Sequence, residues 1–363
     1  MSHVQLQFPM VRIPHSNGEE LPVNPMLRSS RRQMRRSVRT VAVTVLAVLA
    51  ASATTLPAQA APQPTSASAA VQPSDGRSVT VHVGGKDVQV QLNPRAGIIP
   101  MRGQHTAPPA APHQAGAATV FPPDWPTAGL QYRSGPVATA PKVYLDFWGS
   151  QWYANNPNEN AVEGYLQALF TGLGSQNDTW STVTSQYTDG HGNAPSFNGQ
   201  VLAGAMVDTS NPVPVWAQQA DIAAEAQNAA QRFGVSGPNV NIIVVSPSGT
   251  HPDFFPKHGF CAWHSWTGQV GYTNLPFVQD AGSMCGANSV QSPMDGFSIV
   301  AGHEYAETIT DPQPTSGWVD PSREEIGDLC AWNHDSLVTL GPWNFAMQPL
   351  YSNRAGGCVL SSK

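Results

Sequence analysis

No stretch of the 363-residue chain is an apolar run of the roughly 18 or more residues that a membrane-spanning helix needs. It has no Cys-x-x-Cys pair, which argues against a cysteine-based zinc site. It has no G-x-S-x-G segment and no phosphate-binding glycine loop, so neither a serine hydrolase of that type nor a nucleotide enzyme is indicated. Positive charge is scarce beyond the first 60 residues, which hold seven of the 18 Lys+Arg and two of the 24 Asp+Glu. The remainder has 11 basic against 22 acidic residues, a net charge of −11. That balance argues against nucleic acid and against an anionic membrane as partner, and it tolerates Ca²⁺.

The cations that are present concentrate at one end. Arg28, Arg31, Arg32, Arg35, Arg36 and Arg39 form a basic region, Val41 to Ala51 an apolar core, and Ala58-Gln59-Ala60 an A-x-A cleavage site. Together they read as a secretory signal within an N-terminal segment 1–60, leaving no membrane anchor after cleavage. Residues 1–27 have no evident role, and Met26 or Met34 is an alternative start. The four cysteines, Cys261, Cys285, Cys330 and Cys358, all lie in the last third. An even count in an exported chain implies two disulfides. Of the three possible pairings, the sequence neighbours Cys261–Cys285 and Cys330–Cys358 are favoured.

Residues 61–135 are expected to form a pro-region or linker, rich in Ala, Pro, Ser and Gly, with a flexible stalk as the alternative. Within it, residues 78–92 alternate on both sides of Gly84-Gly85 as a β-hairpin does. The globular domain is placed at 136–363. Lys142 to Trp148 reads as a buried strand. A helix follows, with Asn156 as N-cap and Pro157 at its first position. Gln200 to Asp208 reads as a strand, Gln218 to Phe233 as an Ala-rich helix closed by Gly234, and Val240 to Ser246 as a central strand. The expected class is α/β or α+β: a mixed sheet with packed helices, then a long disulfide-clamped loop over 247–294, then a zincin-like active-site helix.

That last helix carries the chemistry. In Gly302-His303-Glu304-Tyr305-Ala306-Glu307, His303 and Glu307 are four apart and share a helix face, with Glu304 beside them. The pattern is H-E-x-x-H with the second histidine replaced by glutamate. A buried imidazole and carboxylate on one face call for a divalent metal, or else for a plain His–Glu hydrogen bond. Glu325 and Asp328, 18 and 21 residues past Glu307, are the best source of a third ligand, Asp328 first. Glu304 would be the catalytic base acting on a metal-activated water. Zn²⁺ is the expected ion, and two carboxylate ligands make Ca²⁺ the alternative. His264 and His334 are further cleft candidates. Asp146 and Asp208 could pair as carboxylates, but nothing in the sequence brings them together.

Several blocks resemble the plant exordium, or phosphate-induced protein 1, family and its bacterial secreted relatives. They are Val143-Tyr144-Leu145-Asp146-Phe147-Trp148-Gly149, Gly259-Phe260-Cys261-Ala262-Trp263-His264, Gly302-His303-Glu304 through Glu307, Glu325-Ile326-Gly327-Asp328-Leu329-Cys330, and Pro349-Leu350-Tyr351-Ser352-Asn353 before Cys358. The resemblance spans residues 141–363. It implies secretion to the extracellular space or cell wall and a zincin-like site on His303, Glu304, Glu307 and Asp328. The functional expectation is a secreted zincin-like metallohydrolase acting on a peptide or protein. The alternative is a non-catalytic, wall-associated protein that binds calcium or a cell-wall polysaccharide through Trp263, Trp266 and Trp318.

Overall fold

A computed structural model describes residues 77–83, 86–93, 95–103, 119–124, 126–153 and 156–362. The expected signal within segment 1–60, the stretch 61–76 and the Gly84-Gly85 turn lie outside the described residues.

In chain order the strands and helices are β1 (Arg77–Val83), β2 (Lys86–Leu92), β3 (Ala96–Pro100), β4 (Val120–Phe121), β5 (Gln131–Tyr132), β6 (Lys142–Trp148), α1 (Pro157–Gly172), β7 (Leu202–Asp208), α2 (Gln219–Phe233), β8 (Gly237–Val245), β9 (Phe260–Trp266), β10 (Val270–Leu275), α3 (Asp295–Thr310), β11 (Trp318–Val319), β12 (Ser336–Leu340), β13 (Trp343–Met347), β14 (Leu350–Ser352) and β15 (Gly357–Val359). The main sheet has six strands in the order β3-β9-β10-β8-β6-β7. β10, β8, β6 and β7 run parallel, and β9 and β3 close one side antiparallel.

Parallel neighbours need a crossover, and α1 and α2 supply the two around β6. From β6 the chain passes through α1 to β7 on one side, then through α2 to β8 on the other. Right-handed crossovers in opposite directions place their helices on opposite faces of the sheet. α1 accordingly packs with α3, whereas the β1–β2 hairpin rests on α2. The apolar run Ile242-Ile243-Val244-Val245 suits a strand buried on both faces.

Local chemistry sets the helix ends. Asn156 caps α1 by accepting from the Asn158 amide, and Pro157 needs no partner at the first position. Gly234 ends α2 in the left-handed region at φ 70°. α3 is buried along all of its 16 residues, so it has no polar face and sits as a central rod. Asp295 is its first residue and accepts the amides of Val290, Gln291 and Ser292. Asp311 ends it and accepts those of Thr315, Ser316 and Gly317.

The stretch 247–294 is less irregular than its composition indicates. It contributes β9 and β10, every residue of which is buried. The clamp over it is Cys261–Cys285, and Cys330–Cys358 ties the segment after α3 to β15. Within 61–135, β3 forms the edge of the main sheet, β4 pairs with β15 and β5 with β11.

Candidate metal centre

α3 presents His303, Glu304 and Glu307 toward β9 and toward the turn 325–328. Helical spacing brings Glu307 Oε1 to 3.1 Å from His303 Nε2. From the turn, Asp328 Oδ1 comes within 3.5 Å of the same nitrogen. From β9, His264 Nδ1 lies 3.3 Å from Glu304 Oε2 and 3.7 Å from Glu307 Oε2, and its Nε2 lies 3.6 Å from Glu325 Oε2. His264, His303, Glu304, Glu307 and Glu325 are at most 1% exposed. One ligand atom from each of His303, Glu307 and Asp328 lies within 4.8 Å of the others, and the same holds for His264, Glu307 and Glu325.

The hydrogen bonds fix how both imidazoles are used. The Gln348 amide donates from Nε2 to the Gly327 carbonyl at 2.9 Å, which turns its Oε1 to His303 Nδ1 at 3.2 Å. An oxygen can only accept, so His303 Nδ1 carries hydrogen and Nε2 is left toward Glu307 and Asp328. His264 Nε2 donates to the Asp311 carbonyl at 3.2 Å, which leaves Nδ1 toward Glu304 and Glu307. Each imidazole therefore turns a second nitrogen onto carboxylate oxygens. A lone pair facing an anion is repelled, so a proton or a cation must sit between them.

Burial dominates the ionisation of every group here. It drives His264 down to about 4, so this imidazole stays neutral near pH 7. Burial also opposes charge on His303, but Glu307, Asp328 and Glu304 outweigh it and hold its pKa well above the ordinary value. Burial, with Asp328 behind it, lifts Glu307 to about 7. Glu304 and Glu325 are raised well above the usual carboxylate range, again by burial first. Without a cation, the group keeps protons that exposed carboxyls would release.

The residues fit a divalent cation. Glu325 Oε1 and Oε2, Glu307 Oε2, Glu304 Oε1 and His303 Nε2 have no hydrogen-bond partner although all are buried. Two glycines let backbone close on the group. A Cβ on Gly327 would lie 2.7 Å from His303 Nδ1, and one on Gly97 would lie 1.7 Å from Glu307 Oε2.

Of the residues singled out in the sequence, His303, Glu304, Glu307, Glu325 and Asp328 are brought together, and His264 lies in their midst. His334 does not join them; its ring stacks on Phe121 at 4.0 Å. Gln348 and Gly97 carry no signal in their own segments. Trp263, Trp266 and Trp318 do not form the exposed aromatic platform read from the sequence. Trp263 is fully buried and Trp266 only 9% exposed, because β9 lies inside the sheet. Trp318 is half-buried and donates Nε1 to the Thr188 carbonyl.

Fold and site together define a mixed α/β protein with a histidine–carboxylate centre on its buried central helix. The chain is similar to the protein EXORDIUM-like 5 of Arabidopsis thaliana, at 27% identity over 239 residues. The match covers 55% of this chain and 63% of that protein, less than two thirds of its length. This likeness supports the exordium family. No family model matches the chain, and no solved structure matches it.

Proposed function

We propose that the protein is a secreted zincin-like metallohydrolase whose substrate is a peptide or protein. His303, Glu307 and Asp328 would hold the metal, with Glu325 the second choice for third ligand, zinc first and calcium as the alternative. The observation that carries this reading is the Gln348 contact, which leaves His303 Nε2 aimed at Glu307 and Asp328. A divalent metal bound there would supply Lewis acidity toward water and a substrate carbonyl. Glu304 is the proton-handling residue: its Oε1 has no partner, while its Oε2 meets His264. Two disulfides suit an oxidising compartment, and no helix among the described residues is long and apolar enough to cross a membrane.

Access to the centre requires β3 to move. Its Gly97 backbone lies against Glu307 and His264, so a substrate carbonyl has no room while β3 is paired to β9. The pro-region role for residues 61–135 then takes a physical form: β3 is a strap that keeps the centre closed until it is removed. The test compares the purified chain before and after limited proteolysis of this region. Glu304→Gln should keep its metal and lose all peptide hydrolysis. Full activity in that variant would remove Glu304 from the mechanism.

A second reading is favoured by the complete burial of the centre. In it the protein is a non-catalytic extracellular member of the exordium family, and the centre binds calcium to brace the core. The glycan contact would then fall to an exposed patch where the Trp216 ring lies tilted against His251, with Phe254 and Lys257 beside it. Retention on a polysaccharide column that is lost in Trp216→Ala would support it.

A further inference from the structure

We propose that the centre is dinuclear, with Glu307 bridging two divalent cations, one held with His303 and Asp328 and the other with His264 and Glu325. This rests on the reading that the centre binds metal at all, and adds a second ion and a ligand role for His264.

Three observations carry it. First, the two oxygens of Glu307 face different imidazoles: Oε1 is 3.1 Å from His303 Nε2, and Oε2 is 3.7 Å from His264 Nδ1. Glu307 is common to both trios of potential ligands, and its Oε1 also accepts the amides of Gly327 and Asp328. A single ion cannot use both trios fully, whereas a bridging carboxylate is the ordinary way for two ions to share one residue.

Second, a lone ion on His303, Glu307 and Asp328 leaves Glu325 unexplained. Both Glu325 oxygens lack a hydrogen-bond partner, and the side chain is 1% exposed. Its neighbours are the Asp311 carboxyl and His264, whose Nε2 hydrogen is already given to the Asp311 carbonyl. A buried carboxylate without a donor is strongly disfavoured when ionised, and an ion shared with His264 offsets that penalty.

Third, the ionised carboxylates here carry more charge than one divalent ion offsets. Glu304, Glu307, Glu325 and Asp328 are four buried carboxylates facing two imidazoles. Asp311, beside Glu325, is a fifth carboxylate, and the amides of Thr315, Ser316 and Gly317 already meet its charge. One divalent ion would offset two of these four buried charges, and two ions would offset all four. One imidazole with carboxylates on each ion suits first-row divalent metals such as zinc or manganese.

The experiment is metal analysis of the full chain, produced with zinc or with manganese in the medium because the centre is buried. About two ions per chain are expected, falling to about one in His264→Ala, with a spin-coupled manganese resonance that disappears in that variant. About one ion per chain, unchanged by His264→Ala, overturns the dinuclear centre but leaves a mononuclear one standing. No bound metal overturns both readings. Should His264→Ala fail to fold, the stoichiometry and spin coupling of the unaltered chain decide the matter alone.

Discussion

At the scale of single residues, the chemistry depends on how His303 is held, and Gln348 holds it. Nothing in Ala346-Met347-Gln348-Pro349 marks this glutamine as part of a site, because its partner is 45 residues away. The pair His303 and Glu307 was legible because one helix sets their spacing. In the sequence His264 is visible only as a histidine in a loop, because nothing there marks the strand that delivers it. Asp146 and Asp208 were likewise unpaired in the sequence, yet neighbouring parallel strands bring them together. Groups that orient a metal-binding histidine commonly change metal affinity by about 10- to 100-fold when removed. Gln348→Ala should therefore lose zinc to a competing chelator that much more readily, with little change in fold by circular dichroism. Equal zinc retention in the two proteins would show that His303 is oriented without this amide.

At the scale of elements, the sequence marks what carries caps, helical spacing or an apolar run, and misses buried strands that carry none of these. α1, with its N-cap, proline and spaced apolar residues, and α2, with its closing glycine, lie within a residue or two of where the sequence places them. β9 and β10 are buried on both faces, so no polar alternation marks them. β3 is the element on which access depends. Gly97 adopts φ +52°, and a Cβ there would lie 1.7 Å from Glu307 Oε2 and 2.6 Å from His264 Nδ1. An alanine at this position meets both a disfavoured backbone and a filled space, at a cost of about 1–3 kcal/mol. An edge strand is easier to displace than a central helix, so Gly97→Ala should lift β3 while α3 stays in place. The amides of residues 96–100 should then exchange hydrogen much faster than in the unaltered chain. Undiminished protection there, with loosening of α3 instead, would show that the strap is the stronger of the two.

At the scale of the whole molecule, a chain this acidic stores its surplus charge in the core as well as on its surface. A second acidic cluster lies on the opposite face of the sheet, where Asp146 of β6, Asp208 of β7 and Glu225 of α2 meet. Asp208 is fully served by Ser210, Asn228 and Arg232. Asp146 has no hydrogen-bond donor on either oxygen, and Glu225 lacks one on Oε1. Burial, followed by the charge of Asp208, pushes Asp146 up to about 8, and burial, followed by Asp146 and Asp208, pushes Glu225 up to about 10. The two carboxyls therefore share protons that the unfolded chain surrenders above about pH 4. Between about pH 4 and pH 8 the native state binds more protons than the unfolded one, so this pair lowers stability as pH rises through that window. The melting temperature of metal-free protein should fall from pH 5 to pH 8, and the fall should be shallower in an Asp146→Asn, Glu225→Gln double variant. Because the His303 centre is unchanged in that variant, its own titration cancels in the comparison. Identical slopes would mean that Asp146 and Glu225 are ionised in the native state as they are in the unfolded one.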